Sequence, residues 1–214
     1  MKIQALHEFH DADFSKEWTE KFKPTPPRLK LFELMVQQIE HVGGKNAHVL
    51  ELGIGPGFLA HHILDNLPDI TYEGLDFSKS MLEIAKKRTE KHKKRIDFIQ
   101  ADLLTKAWKK RLKKTPGVIV STWALHDLFD KKNIFNVYKT VYDVLLDRGL
   151  LLNGDFIKPE ESQYDYEGGR IKPSEHLELL RKCGFQDPEC IEEFEKSVDN
   201  PTTANNYACF KAIK

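Results

Sequence analysis

Apolar positions along the chain recur in two rhythms. Short unbroken runs, bounded by Gly, Pro, Asn or Asp, occupy His48–Gly53, Ile70–Phe77, Ile96–Ala101, Gly117–Thr122 and Gly149–Phe156. Runs of this length and composition predict buried strands. Between them apolar residues repeat at helical spacing: in Phe58–Leu67, in a segment that Ser78 can cap and that runs to about Lys94, in Thr105–Lys114, in the stripe Ile134, Val137, Tyr138, Val141 and Leu145, and in Ser174–Cys183. Two late strand patterns fall within Phe185–Phe194 and Tyr207–Ile213, joined by the polar loop Lys196–Asn206. Residues 1–45 predict a helical cap. Pro24, Pro26 and Pro27 interrupt it, and a helix follows from about Pro27 to Val42, with Phe32, Met35, Val36 and Ile39 on one face and Gly43-Gly44 as its stop.

Strands alternating with helices over short links imply a parallel sheet covered by helices on both faces. The last two strands lack an intervening helix and should be antiparallel, so the α/β sheet is mixed near that edge. The 214 residues suffice for one α/β domain that buries roughly 70% of its unfolded surface.

Composition narrows the picture by exclusion. Lys+Arg and Asp+Glu number 33 each, a formal net charge of zero, which argues against strong global steering toward nucleic acid or anionic membrane. Neither an apolar core of signal-peptide length in Met1–Phe14 nor a bilayer-spanning segment is visible. Cys183, Cys190 and Cys209 are odd in number and lack zinc-like spacing; they read as small buried apolar residues in a reduced, cytoplasmic compartment.

The most specific stretch is Val49-Leu50-Glu51-Leu52-Gly53-Ile54-Gly55-Pro56-Gly57-Phe58: a buried strand, a glycine turn and a helix start. Glycine permits positive φ and close approach of a ligand to the backbone, which suits a nucleotide-like cofactor. Glycine spacing alone leaves a nicotinamide dinucleotide open, because Gly55-x-Gly57-x-x-Ala60 fits that fingerprint.

Five segments, the glycine stretch among them, form an ordered set. Glu51–Gly57, Gly74-Leu75-Asp76-Phe77-Ser78, Gln100-Ala101-Asp102-Leu103, Val120-Ser121-Thr122-Trp123-Ala124-Leu125-His126 and Gly149–Asn153 stand in order at successive strand ends, and Asn206–Ala212 closes the series. On these motifs the chain resembles the class I S-adenosylmethionine (SAM)-dependent methyltransferases, in their small-molecule branch, from the glycine turn to Lys214. The resemblance implies a Rossmann-like seven-stranded sheet in the order 3-2-1-4-5-7-6 with strand 7 antiparallel. It makes residues 46–214 the catalytic domain and residues 1–45 a cap or lid of the same domain.

The resemblance also implies a cofactor site built from Glu51, Gly53, Ile54, Gly55, Gly57, Asp76, Phe77, Met81, Asp102, Leu103 and Ser121. Gly53, Gly55 and Gly57 would line the methionine half, with the ammonium near Gly53. Asp76 lies 19 positions past Gly57, where a carboxylate accepts from both ribose hydroxyls. Phe77 and Met81 would sandwich the adenine, Asp102 would accept from its amino group with Leu103 beside it, and Ser121 would lie near the sulfonium. The lesser alternatives are a helix cap for Asp102 and plain core for Phe77 and Met81, and core packing does not exclude adenine contact.

His126 is the candidate general base. It reads as well as a histidine bonded to loop backbone, while Asp127 reads mainly as the cap of the next helix and otherwise as its orienter. Candidate acceptor contacts are Trp18, Arg28, Trp123, Tyr164, Tyr166 and Arg170; Trp123 is equally at home in a core, and Arg28 and Arg170 read first as solvated arginines. No paired acids suggest a metal. The basic runs Lys86–Arg95 and Lys106–Lys114 read as solvated helix faces. The expected activity is therefore metal-independent methylation of a small molecule, yielding S-adenosylhomocysteine. Alternatives are a protein- or RNA-directed methyltransferase and a SAM-binding sensor or scaffold without turnover. No nucleic-acid or membrane partner is favoured, and a monomer and a homodimer remain equally open.

Overall fold

The computed structural model describes residues 7–197 and 205–214. Residues 1–6 of the expected cap and 198–204 of the expected polar loop lie outside the described residues. Seven strands follow the order β3-β2-β1-β4-β5-β7-β6 in one mixed sheet. The chain divides into two compact units, Met1–Lys114 and Thr115–Lys214.

In the first unit, α1 (Ala12–Lys21) starts at Asp11, whose carboxylate accepts from Phe14 N at 2.7 Å. Helix α2 (Pro26–Gln38) begins with prolines, which need no amide partner in a first turn, and widens into a π turn over Ile39–Gly43. Strands β1 (His48–Leu52), β2 (Thr71–Asp76) and β3 (Ile96–Gln100) pair in parallel. Their first residues thus share one end of the sheet, and Leu52, Asp76 and Gln100 the other. Helix α3 (Phe58–Asn66) follows the glycine turn.

Helix α4 (Lys79–Arg88) is shorter than its periodicity predicts, ending at Thr89 before a 3-10 turn at Glu90–His92. The chain leaves the helix because Arg95 donates to the carbonyls of Leu64 at 2.7 Å and Leu67 at 3.0 Å, which draws it to the start of β3. The expected helix at Thr105–Lys114 is a 3-10 segment, Lys106–Arg111, holding the fully buried Trp108.

In the second unit, β4 (Val118–Thr122) runs parallel to β5 (Leu150–Phe156), whose seven residues are all buried. Strand β7 (Tyr207–Ile213) pairs antiparallel with β5 and with β6 (Gln186–Phe194). Helix α5 (Lys131–Val144) is capped by Asp130, which accepts from Asn133 N at 2.7 Å. Asp127, expected as that cap, instead sits in a 3-10 turn with His126. Helix α6 (Pro173–Cys183) is closed by Gly184 at φ 107°. Its apolar side carries the buried Leu179, Leu180 and Cys183.

Candidate active site

The first unit builds a nucleotide-like cradle at the carboxyl ends of β1 and β2. Gly53, Gly55 and Gly57 all have positive φ, 68°, 51° and 78°. A side chain there would be strained, and a Cβ at Gly55 would meet nothing within 4 Å, so the outer face of the turn is open to a ligand. Gly57 is tight instead: its Cβ would stand 3.0 Å from Ala85 Cβ, which lets α4 pack close to the turn. Arg88 reinforces this by donating to Pro56 O at 2.7 Å while its guanidinium covers the Phe58 ring at 3.7 Å. Ile54 is buried against Gly74, where a Cβ would lie 2.2 Å from Ile54 Cδ1.

Asp76 closes β2 at 6% exposure. Gly55 N donates to its Oδ2 at 2.9 Å and Ser78 N to its Oδ1 at 2.8 Å. Burial pushes the carboxyl up to about 6, against the lowering pull of these backbone donors. Each oxygen retains lone pairs for further donors, the requirement for holding two ribose hydroxyls. These residues fit an adenosine bearing a methionine tail.

The adenine side is less simple than expected. Met81 is buried behind the Ser78 cap. Phe77 is half-buried, and the rings of His7 and His10 meet it edge-on at 5.2 and 5.3 Å. Ser78 and Ser80 hydroxyls donate to Phe9 O and His10 O, so the described cap is pinned to the start of α4. Asp102 accepts from Leu104 N at 2.8 Å in a local turn but caps no helix, because the 3-10 segment that follows is flanked by Thr105; Leu103 beside it is half-buried. Glu51 is 1% exposed and takes the Tyr72 hydroxyl at 2.7 Å; burial raises its carboxyl well above the ordinary range. Its side chain is committed to that pair.

Trp18 lies in the cap's own aromatic cluster, 5.2 Å from Phe9 and 4.8 Å from Phe22 between ring centroids. Arg28 is half-buried in the first turn of α2.

The second unit gathers a separate cluster around His126. Its Nδ1 lies 2.7 Å from Asp155 Oδ1 and its Nε2 3.2 Å from Asp127 Oδ1. Asp155 is fully buried at the end of β5, and its Oδ2 also accepts from Leu125 N and His126 N at 2.9 and 3.1 Å. Burial pushes His126 down, yet the charges and hydrogen bond of Asp155, aided by Asp127, win and raise its pKa above the usual histidine value. Phe156 packs edge-on to His126 at 4.9 Å, and Arg170 stacks over Phe156 at 4.6 Å. Gly169 makes this closeness feasible, since a Cβ there would fall 1.7 Å from His126 O. Ser121 is fully buried in β4. Trp123 follows β4 at φ 49°, a left-handed conformation that costs a non-glycine residue roughly 1–2 kcal/mol, with its ring 5.7 Å from Tyr207. Tyr164 is 48% exposed, and Tyr166 OH is 3.5 Å from Asn206 Nδ2. Arg170 alone of the expected loop residues joins the His126 cluster.

Sequence reasoning missed Asp155, Arg88 and Gly169. An acid ending an otherwise apolar strand was the available signal for Asp155; nothing local marked the other two. His61, Asp65 and His92 form the one group of possible metal ligands among the described residues. The protein's own donors already serve it: Lys91 Nζ lies 2.8 Å from Asp65, and Arg95 donates to His92 Nδ1 at 3.0 Å. Arginine can only donate, so His92 Nε2 carries the proton shared with Asp65 and lacks the lone pair a metal needs.

Comparison with known proteins agrees with this geometry. Residues 49–149 match the family described as "Methyltransferase domain". A malonyl-[acyl-carrier protein] O-methyltransferase of Halalkalibacterium halodurans is 31% identical over 102 residues, 48% of this chain and 37% of that protein. A carboxy-S-adenosyl-L-methionine synthase of Campylobacter lari is 26% identical over 60% of this chain and 53% of its own length, so the chain spans about half or less of these curated relatives. An O-methyltransferase family protein from Burkholderia thailandensis superposes with a TM-score of 0.73 at 16% identity, covering 99% of this chain and 62% of that one. Strand order and family match converge: residues 49–149, just under half of the chain, match a methyltransferase domain, and the sheet has the fold of a solved O-methyltransferase family protein.

Proposed function

We propose that the protein transfers a methyl group from SAM to a small-molecule acceptor, releasing S-adenosylhomocysteine. The observation that carries the donor half is Asp76, fixed between the amides of Gly55 and Ser78 with acceptor capacity to spare. Gly53, Gly55 and Gly57 would hold the methionine portion, Asp76 the ribose, and Phe77, Met81, Asp102 and Leu103 the adenine region. Bound SAM supplies an already activated methyl on sulfur, so the protein's task is alignment and proton removal.

His126 supports the acceptor half. Asp155 fixes one ring nitrogen, which sets the ring's orientation, and the paired carboxylates strengthen the ring as a base. Arg170, Trp123 and the tyrosines of the 158–172 link are assigned to acceptor contacts. A small molecule is favoured by the short link and by the structural neighbour described as an O-methyltransferase family protein. No described helix is long and apolar enough to cross a membrane. Three free cysteines, with Cys183 and Cys209 buried, suit a reducing compartment such as the cytoplasm.

The test is a transfer assay with methyl-labelled SAM against pooled small metabolites, total RNA and total protein. Label in the metabolite pool supports the proposal. Label confined to RNA or protein overturns the small-molecule reading, and tight donor binding without any transfer points to a sensor.

A further inference from the structure

The segment Lys86–Lys114 carries 13 Lys and Arg against three acids, whereas the rest of this neutral chain has 20 against 30. The fold brings the two basic runs in it together. Lys93, Lys94 and Arg95 from one run and Lys113 and Lys114 from the other line a single cleft of about 160 Å³ over His48 and Glu73.

Local structure accounts for only part of this charge. The α4 carboxyl end suits Lys86, Lys87 and Arg88 through the helix dipole. Arg88, Arg95 and Arg111 are engaged by backbone carbonyls. Lys86, Lys91, Lys93 and Lys113 pair with Glu83, Asp65, Glu90 and Asp97. Among the described residues Lys94 and Lys114 of the cleft, and Lys106, Lys109 and Lys110 outside its lining, make no ion pair, and all but the half-buried Lys109 are exposed. Protection of the edge strand β3 does not explain them, because such lysines belong on the strand itself and β3 reads Ile-Asp-Phe-Ile-Gln.

We propose that this face binds the phosphate backbone of a nucleic-acid duplex, without sequence preference, as an anchoring surface and not as the methyl-acceptor site. A protein partner would need apolar or aromatic anchors at the centre of its footprint. None of the exposed large hydrophobic side chains lies in this segment, and Trp108 is fully buried. The same lack removes the stacking platform that single strands use. Unpaired lysines, acting as point charges, match a regular line of phosphates bound through counterion release. The cleft lies at the amino ends of β1, β2 and β3, a strand's length of roughly 15 Å from the glycine turn. The proposal therefore does not depend on the small-molecule reading.

The experiment is fluorescence anisotropy with labelled mixed-sequence RNA and DNA duplexes over a salt series. The proteins are wild type, Lys93→Glu/Lys94→Glu/Lys114→Glu, all three lining the cleft, the same triple exchanged to Gln, and Lys132→Glu as an exposed control. Wild type should bind at least one duplex, with log affinity falling linearly in log salt by about 0.9 per phosphate neutralised. The Glu triple should bind at least tenfold more weakly and with a shallower slope, the Gln triple should lie between, and Lys132→Glu should match wild type. Thermal melts establish that each variant is folded, and the Gln triple carries the test if the Glu triple is not. Absence of saturable binding by wild type at low salt overturns the proposal. So does wild-type affinity in a folded triple, or capture of polyglutamate without capture of either duplex.

Discussion

Gly55 N donates to Asp76 Oδ2 at 2.9 Å, tying the turn that would line the methionine tail to the carboxylate that would hold the ribose. The bond spans 21 residues of sequence and makes the two halves of the donor cradle one rigid object.

Donor binding should therefore depend on pH through Asp76. Burial raises this carboxyl from the ordinary carboxylate range to about 6. Only the ionised form accepts from both ribose hydroxyls, so SAM affinity should fall as pH drops through about 6, approaching tenfold per unit below it. The linkage to folding has the opposite sense. A folded value above the unfolded one means that Asp76 adds stability below about pH 4, and that this contribution is lost as pH rises through about 6. Calorimetric titration of SAM from pH 5 to 8, with Asp76→Asn losing the dependence, checks the first claim.

His126→Ala should lower kcat by about 10²–10⁴-fold while leaving SAM affinity intact, the range for losing a general base. A base works only when deprotonated. Because Asp155 and Asp127 outweigh burial and raise the His126 pKa, the acid limb of the kcat profile should have its midpoint above 6.5. Asp155→Asn leaves burial to dominate and should move that midpoint down. An unchanged profile in Asp155→Asn would leave the pair a structural role.

Gly169→Ala tests whether the loop over His126 positions it. The new Cβ would overlap His126 O, so the loop must shift. The expected outcome is a loss of about 1–3 kcal/mol of stability, the usual range for overpacking, with reduced kcat and unchanged SAM affinity. Urea unfolding and steady-state kinetics on the same preparation separate the two effects.

Tyr72→Phe should destabilise the fold by about 1–3 kcal/mol, since it strands the buried Glu51 carboxyl without its hydroxyl partner. Denaturant unfolding measures this directly. A change in SAM affinity without a change in stability would show that Glu51 serves the cofactor and not the sheet.

The strands and the glycine turn were legible in the sequence because both are local. Apolar runs marked β1 to β5, and glycine spacing with an acid at each strand end marked Gly55, Gly57 and Asp76. Helix ends were less legible where contacts distant in sequence accompany them: Arg95, just past α4, bonds carbonyls of Leu64 in α3 and Leu67 at its end, 31 and 28 positions back. Capping of α5 fell to Asp130 and not Asp127 because His126–Leu128 forms its own turn first. Asp155 could be marked as an acid near a strand end, but its pairing could not, since its partner lies 29 positions away and the pairing of β4 with β5 brings them together.

One titration decides the central claim that the crevice above β1 and β2 is a SAM site. Calorimetry should be run on wild type and Asp76→Ala with SAM, S-adenosylhomocysteine and NAD in turn. The account predicts one site per chain for SAM and S-adenosylhomocysteine, weakened by about 1–3 kcal/mol in Asp76→Ala, and no heat with NAD. Binding of NAD in place of SAM, or SAM affinity indifferent to Asp76, would contradict it.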